Sequence, residues 1–254
     1  MTADEIVTRI VTSAKYKGLH RKTVQRIVDE SSNEDEARKR LHQIWGAYFG
    51  IRPNFGRMLK KVAEKRGRGE TEKEVALWLL QLQSSTKERT GEMEVMYRQI
   101  YEATAGAKIV VDYGCGMNGL SHFWWPKEAE WTYLGVDIDL EEIELLRQVT
   151  GLNFTLGDAL VDDLPRADMY WCLKLLPVLE MQRKGAAEEM MIRIPARWAV
   201  VSYPLQSIGG RQKGMEINYN EQFERLVNGK GWKITKLSTQ KELVFVVDKS
   251  LLAR

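Results

Sequence analysis

The sequence predicts an α/β protein in which an all-helical segment precedes a mainly parallel sheet. Apolar residues recur at helical spacing in the first part of the chain, for example at Val24, Ile27 and Val28. The pattern changes near Gly106, after which short strand-like runs alternate with helix-like stretches. Such alternation is typical of parallel sheets with crossover connections. We therefore divide the chain into a helical extension, residues 1–105, and an α/β domain, residues 106–254.

In the extension, helices are predicted around 6–14, around 24–28, at 34–47 and over 71–103, with a break at Pro53. The basic, glycine-containing run 65–69 predicts an exposed loop. Strands are predicted at 108–112, 131–137, 152–156, 168–173, 197–203, 232–236 and 242–247, with helices at 140–149 and 178–193. Only a few residues separate the last two strands, which predicts a hairpin and hence one antiparallel edge strand.

Composition limits the class of protein. Two cysteines, Cys115 and Cys172, are too few for a disulfide framework, and three scattered histidines show no metal-ligand spacing. The chain has no apolar run long enough to span a membrane, and its first residues lack the apolar core of a secretory signal. These features predict a metal-free cytoplasmic protein that does not bind membranes.

Charge is distributed unevenly along the chain. Residues 1–70 carry 16 Lys and Arg against 9 Asp and Glu, a balance of +7, whereas residues 71–254 carry 22 against 26. Two runs, 6–28 and 37–63, contain basic residues and no acid. Such asymmetry predicts a polyanion-binding segment, although a solvated helix face remains the alternative for any single residue.

A glycine-rich segment, Asp112-Tyr-Gly-Cys-Gly-Met-Asn-Gly119, follows the first predicted strand. It formally matches the G-x-G-x-x-G dinucleotide fingerprint, so nicotinamide binding is one alternative, and a tight turn that binds nothing is another. Asp112 argues against a dinucleotide because it would repel a pyrophosphate, whereas a cationic sulfonium cofactor tolerates a carboxylate. The chain also lacks the second substrate-binding domain that dehydrogenases usually add.

Two further acids end the next two predicted strands. A carboxylate at Asp137 can accept both ribose hydroxyls of an adenosine, and one at Asp158 can accept adenine's exocyclic amine. The alternative interpretation is a helix N-cap for Asp137 and a solvated loop carboxylate for Asp158. Because open parallel sheets bind ligands at the carboxyl ends of their strands, three acids there predict an adenosine-containing cofactor.

The fourth predicted strand ends in Trp171-Cys-Leu-Lys-Leu-Leu-Pro177. It has neither the Asn/Asp-Pro-Pro-aromatic motif of amino-methylating enzymes nor a cysteine next to proline, and Cys172 is interpreted as a small buried hydrophobe. A target atom with a free lone pair, such as purine N7, would need neither.

Several segments together resemble the aminoglycoside-resistance 16S ribosomal RNA methyltransferases that modify guanine N7 in the decoding site. They are Leu41-His-Gln-Ile-Trp-Gly-Ala-Tyr48, Ser85-Thr-Lys-Glu-Arg89, Cys115-Gly-Met-Asn118, Leu173-Lys-Leu-Leu-Pro-Val-Leu-Glu180 and Ser207-Ile-Gly-Gly-Arg-Gln-Lys-Gly-Met215. The resemblance implies a class I S-adenosylmethionine-dependent methyltransferase fold, Rossmann-like and seven-stranded, with an N-terminal helical extension. It also implies 16S rRNA within the 30S subunit as partner, and a monomer.

The resemblance implies that residues of the extension close over the cofactor, with Arg89 paired to its methionine carboxylate. The predicted cofactor-binding residues are Tyr48, Gln83, Ser85, Arg89, Asp112, Gly114, Gly116, Asp137, Ile138, Asp158, Ala159, Leu173 and Gln182. Two positions depart from the family, which usually has His at the position of Gln83 and Pro at that of Gly119.

The RNA-facing residues are predicted from charge and position. The predicted RNA contacts are Lys15, Lys17, Arg21, Lys22, Arg26, Lys60, Lys61, Arg211 and Lys213. Positioning of the target base is assigned to Lys174, Pro177, Arg211 and Met215, with Leu175 and Tyr203 nearby. We expect no general base, because N7 carries no proton. A small-molecule methyltransferase and a silent ribosome-binding protein are the alternatives, but the basic extension disfavours the first and the three acids disfavour the second.

Overall fold

The computed structural model describes residues 2–45, 53–205 and 214–250. Within these ranges, seven α-helices precede the sheet: α1 (Ala3–Thr12), α2 (Arg21–Asp29), α3 (Glu34–Ile44), α4 (Phe55–Gly67), α5 (Glu72–Leu80), α6 (Ser84–Lys87) and α7 (Met93–Ala103). Side chains that accept backbone N–H groups begin several of them, such as Thr2 for α1 and Thr71 for α5, each in a capping box. Local sequence thus sets where these helices start.

Seven strands follow in the described part of the chain: β1 (Ile109–Tyr113), β2 (Thr132–Asp137), β3 (Asn153–Leu156), β4 (Met169–Leu173), β5 (Trp198–Pro204), β6 (Lys233–Lys236) and β7 (Glu242–Asp248). Between them lie a 3₁₀ helix (Gly116–Trp124) and helices α8 (Leu140–Thr150), α9 (Leu175–Gln182), α10 (Ala186–Arg193) and α11 (Met215–Val227). The sheet order is β3-β2-β1-β4-β5-β7-β6. All seven predicted strands are present within a residue or two of their predicted bounds.

The hairpin is present, but the antiparallel strand is not at the edge as predicted. β7 pairs antiparallel with both β5 and β6, so it lies inside the sheet, and β6 forms the edge with the same direction as β1–β5. Burial explains the arrangement: β7 is buried over almost its whole length, whereas β6 is largely exposed. The apolar strand of the hairpin therefore takes the inner place.

One loop prediction is wrong, because residues 65–67 belong to the end of α4. The region 71–103, predicted as helical, consists of three helices with interruptions after Leu80 and after Lys87. The helix-like stretch predicted over 178–193 is divided between α9 and α10. At the two interruptions within residues 71–103 the chain turns and brings polar residues into the interior, among them Gln83 and Arg89.

The interior is divided by the sheet. Helices α4, α5, α7 and α8 share one apolar cluster with one face of the sheet, and α9, α10 and α11 share another with the opposite face. Helices α1–α3 have a cluster of their own, which includes Ile10, Ile27 and Leu41. The boundary predicted at residues 105/106 therefore separates helix from sheet, but α4, α5 and α7 pack with the sheet. No helix among the described residues is long and apolar enough to cross a membrane.

Helices α1–α3 are joined to the sheet at the carboxyl end of β2. Leu19 forms an antiparallel bridge with Asp139, and the His20 N–H donates to the Ile138 carbonyl at 2.8 Å. The buried indole of Trp45 donates to Asp139 Oδ2 at 2.9 Å, while Asp139 Oδ1 accepts the backbone N–H groups that begin α8. This contact sets α2 and the end of α3 beside the strand ends where ligands bind in such sheets.

Candidate functional site

A cavity that opens to solvent lies at the carboxyl ends of β1, β2, β3 and β4. Ten of the predicted cofactor residues line it: Gln83, Ser85, Gly114, Gly116, Asp137, Ile138, Asp158, Ala159, Leu173 and Gln182. Tyr48 lies outside the described residues. The loops that follow β1, β2 and β3 thus converge as the sequence predicts. The binding role of each residue stays a prediction.

The glycine turn after β1 is held by the neighbouring strand. Gly114 and Gly116 both have positive φ angles, 67° and 44°, which favour glycine. The Gly114 N–H donates to the Val136 carbonyl at 2.8 Å, and the Gly116 N–H donates to Asp137 Oδ2 at 2.8 Å. A Cβ on Gly116 would lie 2.7 Å from Gln83 Oε1. The turn therefore requires glycine both for its backbone and for close approach.

Asp137 lies at the cavity wall at the end of β2. Its Oδ1 accepts the Ile138 N–H at 2.7 Å, and the backbone N–H of Asp139 is a third donor to the carboxylate. Burial raises the pKa of the Asp137 carboxyl above its ordinary value, against the lowering effect of these donors. Because a carboxylate has about four lone-pair positions, an acceptor position remains for a hydroxyl donor of a ligand.

Asp158 and Gln182 meet at another part of the wall through Arg26 of α2. One guanidinium nitrogen, Nη2, donates to Asp158 Oδ2 at 3.1 Å and to Gln182 Oε1 at 2.7 Å. The Arg26 side chain is only 12% exposed. Its guanidinium therefore lies behind the cavity wall rather than at the surface, which does not favour the predicted contact of Arg26 with RNA.

Asp112 does not border the cavity. It is fully buried beneath the glycine turn, where Oδ2 accepts hydrogen bonds from Asn118 Nδ2 at 2.7 Å and from the Tyr133 hydroxyl at 2.9 Å. Among the described residues its Oδ1 has no partner. Burial raises the pKa of Asp112 to about 6. Asp112 therefore supports the turn from below, and its predicted role beside a sulfonium stays a prediction.

Arg89 also lies behind the cavity rather than in its lining. The guanidinium is 3% exposed, pairs with Glu242 at 2.8 and 3.1 Å, and donates to Asn118 Oδ1 at 2.7 Å. Although burial opposes it, the charge of Glu242 raises the pKa of Arg89 further above its ordinary value. Glu242 is thus an acidic partner of Arg89 in the protein, while pairing with a cofactor carboxylate stays a prediction.

Lys174 lines the cavity but has partners within the protein. It has a left-handed backbone conformation (φ 59°) at the end of β4, and its ammonium contacts Glu88 at 2.6 Å, the Ser85 carbonyl at 2.9 Å and Glu242 at 3.1 Å. Of the other predicted positioning residues, Pro177 lies in α9 and Met215 begins α11; neither lines the cavity. Arg211, like the predicted RNA contact Lys213, falls outside the described residues.

The remaining predicted RNA contacts lie on exposed surface. Lys15, Lys17, Arg21 and Lys22 are exposed on or before α2, but Arg21 pairs with Asp4 at 2.6 Å and Lys22 with Asp162 at 2.7 Å. Lys17 lies 3.1 Å from Glu141. Lys60 and Lys61 are exposed on α4, and no carboxylate of the described chain pairs with them.

Several residues that line the cavity escaped prediction. Three of them, Tyr113, Glu142 and Gly157, lie beside predicted residues. Tyr113 and Gly157 could have been identified from their positions at strand ends alone. Glu142 is buried and accepts a hydrogen bond from Gln83 Nε2 at 3.2 Å. Thr23, Ile44 and Trp45 come from α2 and the end of α3, and only the tertiary contact described above brings them to the cavity. Among the described residues no group of side chains could hold a metal ion.

Comparison with known proteins agrees with this arrangement. A family described as ribosomal RNA methyltransferase (FmrO) matches residues 12–246. A 16S rRNA (guanine(1405)-N(7))-methyltransferase of Proteus mirabilis is 32% identical over 97% of both chains, and one of Frankia casuarinae is 30% identical over 96% of this chain and 93% of the other.

Solved structures show the same fold over almost the whole chain. The 16S rRNA methyltransferase RmtF, in complex with S-adenosyl-L-homocysteine, has a TM-score of 0.81 and 26% identity and covers 97% of each chain. The 16S rRNA methylase RmtB has a TM-score of 0.77 and 28% identity, over 98% of this chain and 99% of that one. With a matching family model, relatives at 30% identity or more and this shared architecture, the chain belongs to the ribosomal RNA methyltransferase family.

Proposed function

We propose that this protein transfers a methyl group from S-adenosylmethionine to N7 of guanine 1405 in 16S rRNA. The observation that carries the proposal is that Asp137 and Asp158 converge on one cavity at the strand ends. Relatives that are 30% identical or more bear the name of this activity, which supports the same assignment. Modification of that base is expected to confer aminoglycoside resistance.

The donor set fits an adenosine-containing cofactor. Asp137 retains an acceptor position for a ribose hydroxyl, and Asp158 offers an acceptor for an exocyclic amine. Apolar side chains of Leu173, Leu175 and Val178 line the same cavity, as suits a flat purine ring. The acidic wall also suits a ligand that carries a positive sulfonium.

The chemistry requires alignment more than acid–base work. When bound, the cofactor supplies an electrophilic methyl group, and guanine N7 has a lone pair that needs no deprotonation. The protein's task is therefore to hold the base in line and to exclude water. Reaching N7 inside folded RNA implies that the base is flipped out toward the cavity. Lys174, at the cavity edge with its charge neutralised by Glu88 and Glu242, bounds the space such a base would enter.

The substrate is proposed to be the assembled 30S subunit, with the enzyme acting as a monomer. The basic helical segment is larger than a short RNA-binding module and places exposed lysines on α4 and around α2. Such a surface suits an extended, folded ribosomal surface better than a single strand.

The test is methylation of 30S subunits and of protein-free 16S RNA, followed by strand cleavage specific for N7-methylguanine and primer extension. We expect a stop at guanine 1405 with 30S subunits and a much weaker one with free RNA. A stop at another guanine would overturn the target, and equal activity on free RNA would overturn the 30S requirement. Methylation of a small molecule alone would overturn the function.

A further inference from the structure

Arg26 occupies a position that the RNA-binding assignment of its helix does not explain. Its helix, α2, belongs to the apolar cluster of α1–α3, yet its guanidinium reaches Asp158 after β3 and Gln182 at the end of α9. A single nitrogen, Nη2, donates to both acceptors. Arg26 therefore joins two separate parts of the cavity wall from behind.

We propose that Arg26 sets the base specificity of the cofactor cavity by fixing the hydrogen-bonding direction of Asp158 and Gln182. The inference rests on the proposed function, in which Asp158 accepts the exocyclic amine of adenine. Arg26 is a positioning residue in this scheme and acts through the two side chains it holds.

The orientation of the Gln182 amide follows from the chemistry of arginine. A guanidinium can only donate hydrogen bonds, so the amide atom 2.7 Å from Arg26 must be the oxygen, Oε1. The amide nitrogen then faces away from Arg26 and donates one hydrogen to the Val178 carbonyl at 3.2 Å. Its second hydrogen remains for a ligand. Gln182 is thus fixed as a donor toward the cavity that it lines.

Asp158 is fixed as the complementary acceptor. Its Oδ1 accepts the Leu160 N–H at 2.9 Å and its Oδ2 accepts Arg26, so the carboxylate cannot rotate without losing a donor. Its backbone N–H donates to Asp162 Oδ2 at 2.9 Å, and Asp162 is itself paired with Lys22 of α2. Two residues of α2 therefore hold the loop that follows β3.

An acceptor beside a donor matches the edge of adenine, which presents the N6 amine next to the N1 acceptor. Hypoxanthine reverses both groups, since it has an oxygen at position 6 and a hydrogen on N1. A wall held in one orientation should reject hypoxanthine, because each mismatched contact leaves a buried polar group without a partner. Without Arg26 the Gln182 amide could rotate and present its oxygen to the N1 hydrogen.

The experiment compares two probes, S-adenosylhomocysteine and its inosine analogue S-inosylhomocysteine, by isothermal titration calorimetry. We expect the wild type to prefer the adenosine compound by about tenfold or more. Arg26→Met, which keeps most of the aliphatic stem, should lower that preference roughly tenfold. Arg26→Lys should fall between, because one ammonium can serve an acceptor without bridging both in the same geometry. Gln25→Met, on the same helix and bonded to Asp29 one turn along it, is the matched control and should keep the wild-type preference.

The outcomes separate the inference from the function on which it rests. Failure of the wild type to bind S-adenosylhomocysteine would overturn the proposed function. Wild-type binding without preference for adenine would overturn the specificity assigned to Asp158 and Gln182. Equal weakening of both probes by Arg26→Met, with a lower melting temperature, would show that Arg26 only supports the wall and would overturn the inference. An unchanged preference in Arg26→Met would do the same.

Discussion

At the residue scale, Asp137 offers the most direct test of the cavity. Replacing it with Ala removes acceptors for a ligand and also the partner of the Gly116 N–H. Loss of a charge-assisted hydrogen bond costs about 1.5–3 kcal/mol, so affinity for S-adenosylmethionine should fall about tenfold or more. Calorimetry without RNA measures this directly. Asp163→Ala, at an exposed position outside the cavity lining, should leave affinity unchanged; an Asp137→Ala protein that binds like the wild type would remove Asp137 from the site.

The buried carboxyl of Asp112 predicts a pH dependence of stability. Its pKa rises from an ordinary value of 3.8 to about 6 on folding because of burial, so the folded state holds this proton more tightly than the unfolded state. Asp112 therefore lowers stability as pH rises from about 4 to about 6, and the loss persists above about pH 6. About two pKa units correspond to roughly 3 kcal/mol.

Asp112→Asn should remove that dependence, since an amide does not ionise and still offers an acceptor to Asn118 and Tyr133. Urea unfolding of both proteins at about pH 4.5 and about pH 7.5 measures the effect. Relative to the wild type, the variant should gain roughly 2–3 kcal/mol between the lower and the higher pH. A constant difference at the two pH values would mean that Asp112 stays ionised in the folded protein throughout.

At the scale of elements, the strands were predictable and the helix interruptions were not. The β-branched and aromatic runs of β1, β4 and β5 indicate buried strands by themselves. The breaks after Leu80 and Lys87 depend on where Gln83 and Arg89 find partners, Glu142 and Glu242, which lie far away in sequence. Charge counts identified the basic segment, but they could not show that Arg26 faces inward, because a helix side chain's direction depends on what its helix packs against.

The link between β7 and the α6–α7 segment is a buried ionic group that no local pattern indicates. Glu242 is 2% exposed and accepts hydrogen bonds from Arg89 and from the Ser202 hydroxyl at 2.7 Å, with Lys174 at 3.1 Å. Although burial opposes ionisation, the two cations hold the pKa of Glu242 below its ordinary value. One carboxylate thus connects β4, β5 and β7 to the segment that carries Ser85 and Arg89.

Glu242→Gln should leave two buried cations without their shared counter-charge. Removing one member of such a group costs about 3–5 kcal/mol, which should lower the urea midpoint substantially. Glu216→Gln, an exposed pair with Lys236 at 3.7 Å, is the matched control and should change stability by less than about 1 kcal/mol. If the two variants had equal midpoints, Arg89 and Lys174 would have to find other partners, and the group would not hold these elements together.

At the scale of the whole molecule, the structure separates two uses of positive charge. Arg26 and Arg89 are largely buried and serve acidic partners inside the protein, and Lys22 pairs with Asp162 beside the cavity. Lys60 and Lys61 instead lie exposed on α4. The sequence alone does not distinguish the internally paired cations from the exposed ones. Only the second kind can contact an external polyanion without breaking an internal pair.

The exposed Lys60 and Lys61 of α4 are expected to contact the ribosomal RNA. Replacing Lys60 and Lys61 together with Gln should weaken binding to 30S subunits. It should also make the affinity depend less on salt, because fewer counterions are released from the RNA on binding. In a plot of log affinity against log salt, the slope should become shallower by about 0.7–0.9 for each phosphate that is no longer neutralised. Affinity for S-adenosylhomocysteine should not change, because α4 contributes no residue to the cavity lining.

Filter binding of labelled 30S subunits over a series of salt concentrations gives both the slope and the affinity. Lys127→Gln and Lys184→Gln, at exposed positions outside the two acid-free basic runs, together serve as the matched double control and should leave both unchanged. An unaltered salt slope in the Lys60 and Lys61 variant would show that the α4 surface lies away from the ribosomal RNA. The basic segment would then have to bind the RNA through other exposed cations, such as Arg21 and Lys22, which would first have to leave Asp4 and Asp162.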